Sequence, residues 1–302
     1  MTAPLVSIVV VGFDMARELP RTIQSLLPPY QQGVYLADIE IIVADNGSHR
    51  PVTRTDFPTG ADVTVIRVED GGTSPCRAIN RAAALARGAL IAVLIDGARM
   101  ASPGLLKTAI EASLADPKAF VATLGFHLGP KVQQISTAEG YTRAVEDSLL
   151  AGIGWPADGY RLFEISALGE SYRHGVTASP PETTFFLMDR VRFLALGGFD
   201  EGFKALGGGF SNYDMFDRAT ADADAPIILL VGEATFHQLH FGATTQDGGI
   251  GRAAPQGEGT LADVYQRDYE RVRGQPYVHT PRPPRLYGAI THPAVRALFF
   301  PA

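Results

Sequence analysis

Three short stretches of the sequence place carboxylates in turn chemistry immediately after an apolar run: Gly12-Phe13-Asp14, Asp45-Asn46-Gly47-Ser48 and Asp96-Gly97-Ala98-Arg99. Taken singly, each reads as a structural turn, because Asp and Asn hydrogen-bond their own backbone in such loops. Gathered at one edge of a sheet, the carboxylates would repel unless a cation or ligand donors offset them. No glycine-rich phosphate cradle accompanies them. Gly12-Phe13-Asp14 matches neither the dinucleotide G-x-G-x-x-G pattern nor the Walker pattern.

The elements that must position these residues alternate between two periodicities. Leu5 to Val11, Ile39 to Ala44, Val63 to Val68, Leu90 to Ile95 and Phe120 to Leu124 are short apolar runs, as expected of strands buried on both faces. Between the first two, Leu19, Ile23, Leu26 and Leu27 share a helix face that Pro28 and Pro29 close. A second helix is expected over residues 75–87, with Ser74 as its cap and Gly88 ending it, and a third opens at Ser102 and Pro103. Strand and helix in this rhythm imply an α/β fold, Rossmann-like, with a mostly parallel sheet flanked by helices. Ligands of such sheets bind at the carboxyl ends of the strands, where all three acidic loops lie.

The 302-residue chain, 46% hydrophobic, is long enough for one large domain or two modest ones. A formal net charge of -6 argues against a nucleic-acid partner, whose usual footprint is a basic surface. The single cysteine, Cys76, excludes an intramolecular disulfide and suits a reducing compartment. The N-terminal apolar run lacks a basic flank and is too short to span a bilayer, and no other stretch approaches a transmembrane helix. A cytoplasmic location follows as the expectation, with peripheral contact at the inner face of a membrane left open. The chain is also compatible with being one module of a longer protein.

The segments SIVVVGFD, VADNGS and NRAAALARG leading into LIAVLIDGA, followed by FFLMDRVRFLALGGFDEGF, resemble family 2 glycosyltransferases with the GT-A fold over residues 5–245. The resemblance implies a GT-A domain over 1–245, with a nucleotide-sugar-binding half at 1–125 and an acceptor-side half at 126–245. A loop, an amphipathic helix near Thr260 to Val272 and a proline-rich tail then fill 246–302. It also implies inverting transfer of a sugar from a nucleotide diphospho-sugar to a glycan or lipid-linked acceptor.

By the same resemblance, Gly12 and Phe13 lie near the nucleotide base, Asp45 accepts from it, and Asn80 lies close to the diphosphate, with Arg77 a turn earlier. Asp96 stands at the first position of a D-x-D motif that holds Mn²⁺ or Mg²⁺ across the diphosphate, a need set by the charge of the leaving group. Ala98 stands where the second carboxylate is usual, so Arg99 is expected to supply part of the positive charge. His240, and less directly His237, are candidates to complete the metal site. Their i, i+3 spacing would put both rings on one side of a helical turn but on opposite faces of a strand.

On the acceptor side, Gly197 to Glu201 resembles the substrate loop, and GGGFSNYDMFDRA falls on the family's base motif with Asn212 in place of a carboxylate. An amide cannot take a proton from an acceptor hydroxyl, which leaves Asp214 or Asp200 as candidate base. Gly207 to Gly209 is expected to form a flexible loop over the acceptor, and the stretch from Asp247 to Gly259 a mobile one. Two other readings compete: a relative that binds a nucleotide sugar or glycan without transferring it, and a nucleotidyltransferase, whose basic glycine-rich loop is missing here.

Overall fold

In a computed structural model, residues 3–240, 242, 244, 245, 248–255, 257, 259–290 and 295–301 are described. Asp247, where the sequence suggests a mobile loop, lies outside the described residues.

Ten strands form one sheet: β1 (Val6–Gly12), β2 (Ile39–Asp45), β3 (Val63–Arg67), β4 (Leu90–Leu94), β5 (Arg99–Ala101), β6 (Phe120–Leu128), β7 (Ser166–Leu168), β8 (Phe185–Asp189), β9 (Ile227–His237) and β10 (Arg285–Gly288). The described helices are α1 (Leu19–Ser25), α2 (Cys76–Ala83), α3 (Leu105–Ala115), α4 (Gln133–Ala138), α5 (Arg143–Gly152), α6 (Arg190–Ala195), α7 (Ser211–Ala219), α8 (Leu261–Arg273) and α9 (Arg296–Phe299). The strand order is β10-β9-β6-β8-β4-β1-β2-β3, with β5 added to β9 and β7 to β6. Strands β4, β1, β2 and β3 are mutually parallel, as the alternating pattern implies. The sheet does not run on directly from β4 to β6. Strand β8 intervenes, antiparallel to both, with Phe186 opposite Val93 on one side and Ala122 on the other.

The strands read as unbroken apolar runs because both faces of the sheet are covered. Val6, Ile8 and Val10 pack with Leu19, Ile23, Leu105 and Leu106 on one face. Val9 and Val11 pack with Ile79, Met215, Phe216 and Leu261 on the other, which is the period-2 alternation of a strand between two helical layers. The C-terminal stretch belongs to the same core. Strand β10 extends the sheet edge beside β9, Tyr265 and Tyr269 of α8 are buried, and Phe299 packs on Phe126 and Phe163. Phe300 remains partly exposed.

A buried acid fastens the amino ends of the central strands. Glu40 at the start of β2 accepts from the Ser7 hydroxyl of β1, from the Arg87 backbone N–H at 2.6 Å and from Arg87 Nε at 2.7 Å. Gly88 N–H donates to Ser7 Oγ at 2.7 Å, and a Cβ on Gly88 would lie 2.6 Å from the Ser7 backbone nitrogen, so only glycine fits that approach. Burial disfavours the ionised Glu40, but the hydrogen bonds from Ser7 and Arg87 outweigh it and hold the carboxyl below its usual range. A group lowered in this way stabilises the fold above its unfolded pKa and loses that contribution as pH falls through its folded value. Glu40→Ala is therefore expected to cost about 2 kcal/mol in urea unfolding at pH 7. The gap from wild type should shrink as the pH is lowered through the acid range; a gap independent of pH would contradict this assignment.

Candidate functional site

The carboxyl ends of β1, β4, β6 and β9 open into a cavity of about 910 Å³. Its polar floor contains Asp96, Arg99, His127, His237 and His240. The sheet register accounts for three of them. Arg99 of β5 is paired with His237 of β9, and His237 with His127 of β6, so these side chains form a lateral row across three strands.

Asp96 follows β4 and faces the end of this row. Its Oδ1 accepts from the Ala98 backbone N–H at 2.9 Å, which fixes the turn and leaves Oδ2 for the histidines. Asp96 Oδ2 lies 2.9 Å from His237 Nε2 and 3.1 Å from His240 Nε2, and the two Nε2 atoms are 3.0 Å apart. Gln133 determines the tautomer of His237. Its amide nitrogen donates to the His237 carbonyl at 2.8 Å, so its oxygen, 2.7 Å from Nδ1, must accept a proton from the ring. His237 Nε2 therefore presents its lone pair toward Asp96.

His237 and His240 converge without a helical turn, which corrects the geometry expected from their spacing. β9 ends at His237, and the chain bends through Gln238 and Leu239 before returning His240 to the same side. Gln238 N–H donates to the Ala98 carbonyl at 2.8 Å, and its side chain donates to the Glu18 carbonyl and the Thr22 hydroxyl. Leu239 N–H donates to Glu146 Oε2 at 2.6 Å; Glu146 is fully buried in α5 and is paired with Arg17.

Charge in the cluster is unevenly shared. Burial opposes ionisation of Asp96, but His240 and His237 hold its carboxyl well below the usual range. Burial pushes His237 down to about 4 against the pull of Asp96. His240 is raised, because the adjacent carboxylate outweighs its burial. His127 is driven well below the usual imidazole range by burial, then by His237 and Arg99.

The donor set fits a divalent cation. An octahedral shell with ligands at about 2.1 Å separates neighbouring ligand atoms by about 3 Å. The three atoms Asp96 Oδ2, His237 Nε2 and His240 Nε2 have that spacing, lie within 4.8 Å of one another as a group, and occupy one side of such a shell. Arg99 adds a second cationic element, with Nε and Nη1 buried and without a hydrogen-bond partner.

Other expected residues divide between the cavity and the frame around it. Gly12 and Phe13 line the cavity, Phe13 at 47% exposure and edge-on to His49. A Cβ on Gly12 would lie 2.9 Å from Leu19 Cδ1. Asp45 turns inward instead: at 1% exposure its Oδ1 accepts from the Gly47 and Ser48 N–H groups and from Arg67. The neighbouring Asn46 lines the cavity, with Oδ1 unpartnered and Nδ2 donating to the Gly72 and Ser74 carbonyls.

Arg77 and Asn80 do not reach this cavity. Asn80 bonds both the N–H and the carbonyl of Phe199, and Arg77 is paired with Asp70 and Glu201. Both therefore anchor the Gly197–Glu201 loop against α2. Gly198, at φ +63°, has room for no Cβ because Asn80 Oδ1 would lie 2.4 Å away.

Asp214 and Asp200 are likewise outside the cavity wall. Asp214, 1% exposed, is bound by Arg218 at 2.8 Å and by Arg273, and Asp200 is bound by the same Arg273 at 2.8 Å. Both carboxylates, the candidate bases of the sequence reading, are engaged in tying α7 and the loop before it to α8. Asn212 does line the cavity, with Tyr172, Phe210, Tyr213 and Tyr265 forming an aromatic wall near it. Gly207, Gly208 and Gly209 all have positive φ, and hydrogen bonds from Gly207 N–H to the Thr73 carbonyl and from Gly208 N–H to the Ala205 carbonyl tie them down.

His127, Asn46, Glu170 and Glu182 are cavity residues that motif reading passes over. His127 was within reach of the strand-end rule, but the apolar run suggests a strand closing at Leu124, whereas β6 continues to Leu128.

Comparison with known proteins gives the family and the fold. The family model described as Glycosyl transferase family 2 matches residues 7–167, more than half of the chain. No curated protein matches the sequence. Among solved structures, S. aureus TarS 1-349 is similar, at a TM-score of 0.50 and 13% identity, covering 77% of this chain and 60% of that one. The same fragment in complex with UDP-GlcNAc is similar at a TM-score of 0.50 and 14% identity, covering 80% and 60%. The chain thus spans about three fifths of the TarS fragment, and at this identity the likeness concerns the fold alone. With the family model matched over more than half of the chain and the fold shared with TarS, the chain belongs to glycosyl transferase family 2 and has the GT-A fold.

Proposed function

We propose that the protein is an inverting glycosyltransferase that moves a sugar from a nucleotide diphospho-sugar to a glycan or lipid-linked acceptor, in polysaccharide or cell-surface glycan synthesis on the cytoplasmic side. The observation that carries this reading is the convergence of Asp96, His237 and His240 beside the unpartnered guanidinium of Arg99. Residues 1–125 supply most of the donor site and residues 126–245 most of the acceptor side. TarS in complex with UDP-GlcNAc makes a UDP-sugar the first donor to test.

In this reading Phe13 and Asn46 lie beside the base, at the end of the cavity where the motif would place Asp45. Asp96, His237 and His240 would hold the divalent cation. When bound, that cation offsets the charge that accumulates on the diphosphate as the glycosyl bond breaks. Arg99 donates Nε–H and Nη1–H to the same anion from the side where the family's second carboxylate is missing. Two imidazole nitrogens and one carboxylate oxygen favour Mn²⁺ or a later first-row cation over Mg²⁺, which prefers oxygen ligands.

A second reading, a relative that binds a nucleotide sugar without transferring it, is favoured by Asn212 at the base position and by the ion-paired state of Asp214 and Asp200. Release of free nucleotide distinguishes the two readings.

A thermal-shift panel of UDP-, GDP- and dTDP-sugars with and without Mn²⁺ tests donor and metal together. One donor with Mn²⁺ is expected to raise Tm by more than the sum of the separate shifts, and His240→Ala to remove that excess. Turnover by Asp96→Ala with unchanged Mn²⁺ dependence would contradict the proposal. Loss of the Arg99 donors should weaken donor binding about tenfold to a hundredfold, the usual effect of removing hydrogen bonds to a charged group. Calorimetric titration of Arg99→Gln checks this, and an affinity within twofold of wild type would exclude Arg99 from the anion site.

A further inference from the structure

With Asn212 at the base position and Asp214 and Asp200 locked in ion pairs, transfer needs another proton acceptor in the cavity. The described carboxylates in the cavity wall are Asp96, Glu170 and Glu182. Asp96 is committed to the two histidines. Glu170 is exposed, and Gln134 donates to it at 3.3 Å. The Glu182 carboxylate is half-buried and makes no hydrogen bond or ion pair with any described residue.

Glu182 is also fixed in place beside the altered position. Pro180 and Pro181 precede it and restrict the approaching backbone. The Tyr172 hydroxyl donates to its carbonyl at 3.4 Å. The next residue, Thr183, is buried and donates its hydroxyl to Asn212 Oδ1 at 3.2 Å, and Thr184 is tied to Thr235 at 2.8 Å. The Glu182 charge is felt by the aromatic wall: the Tyr172 and Tyr213 phenols are raised first by burial and next by this carboxylate.

The geometry points to Glu182 as the general base of the transfer, taking over from the neighbouring segment the role that the Asn212 position has lost. This rests on the transferase reading above. The Glu182 carboxylate removes the proton of the acceptor hydroxyl as its oxygen bonds to the anomeric carbon. The bond from that carbon to the β-phosphate oxygen breaks, and the nucleoside diphosphate leaves with the electron pair. Glu182 ends protonated and returns the proton to solvent. Asn212 lines the same cavity, and its Oδ1 accepts from Thr183, which ties the altered position to the segment that carries Glu182.

The test compares wild type, Glu182→Gln, Asn212→Asp and the double variant for released nucleoside diphosphate and transferred sugar, with donor and Mn²⁺ saturating. Glu182→Gln is expected to lower kcat by about 10²- to 10⁴-fold, the range of general base catalysis, while the donor-dependent rise in Tm is unchanged. Adding Asn212→Asp should recover at least tenfold of that loss, because it restores a carboxylate beside the vacated one; a purely structural role for Glu182 would allow no such recovery. Wild-type transfer with kcat in Glu182→Gln within about threefold would overturn the proposal and leave the transferase reading standing. A wild type that gains Tm with donor and Mn²⁺ but releases no nucleotide would overturn both.

Discussion

A partly buried carboxylate held between two imidazoles is the constraint on which the rest of the site depends. Burial opposes ionisation of Asp96, and the imidazole of His240 is the leading influence that holds its carboxyl well below the usual range. Neither histidine is placed by its own local sequence. Gln133 turns the ring of His237, Gln238 fastens the bend to the turn after Asp96, and Glu146 catches Leu239 so that His240 returns to the cluster. Three different helices, α1, α4 and α5, thus converge on the carboxyl end of β9. Their packing sets the separations of the three ligand atoms.

The repeating apolar runs make the nucleotide-side sheet plain from sequence, because strands buried on both faces have little freedom in composition. The strand-end rule likewise points to the edge at which Asp96, Gly12 and Phe13 line the cavity. Contacts between segments far apart in the chain are harder to read. Strand β8 enters between β4 and β6 although about sixty residues separate it from β6, and nothing local to Phe185–Asp189 announces that position. The same applies to Asp45 and Asn46: a strand-to-loop D-N-G-S segment shows turn chemistry but not which side chain caps the turn and which faces the cavity. Here the backbone N–H groups of Gly47 and Ser48 and the side chain of Arg67 claim the aspartate.

The acceptor side separates framework from chemistry. Asn80, Arg77, Asp200 and Asp214 match family positions, yet each is spent on holding one segment to another. Asn80 clamps the Phe199 backbone against α2, and Arg273 joins Asp200 and Asp214 to the end of α8. In this chain α8 is built into the core, and the aspartates that meet it are structural ion pairs whose partial burial demands both partners. The aromatic wall of Tyr172, Phe210, Tyr213 and Tyr265, by contrast, leaves open space before it, with Phe210 and Tyr213 stacked at 4.7 Å.

The central claim is that Asp96, His237 and His240 hold one divalent cation together. Pulsed EPR of Mn²⁺ bound to the protein with a nucleotide diphosphate tests it most directly, since coupling to the coordinated ring nitrogen reports imidazole ligands. Two coordinated imidazole nitrogens are predicted for wild type, one for His240→Ala and one for His237→Ala. A bound Mn²⁺ signal without nitrogen coupling in wild type, or one unchanged in both variants, would contradict the account.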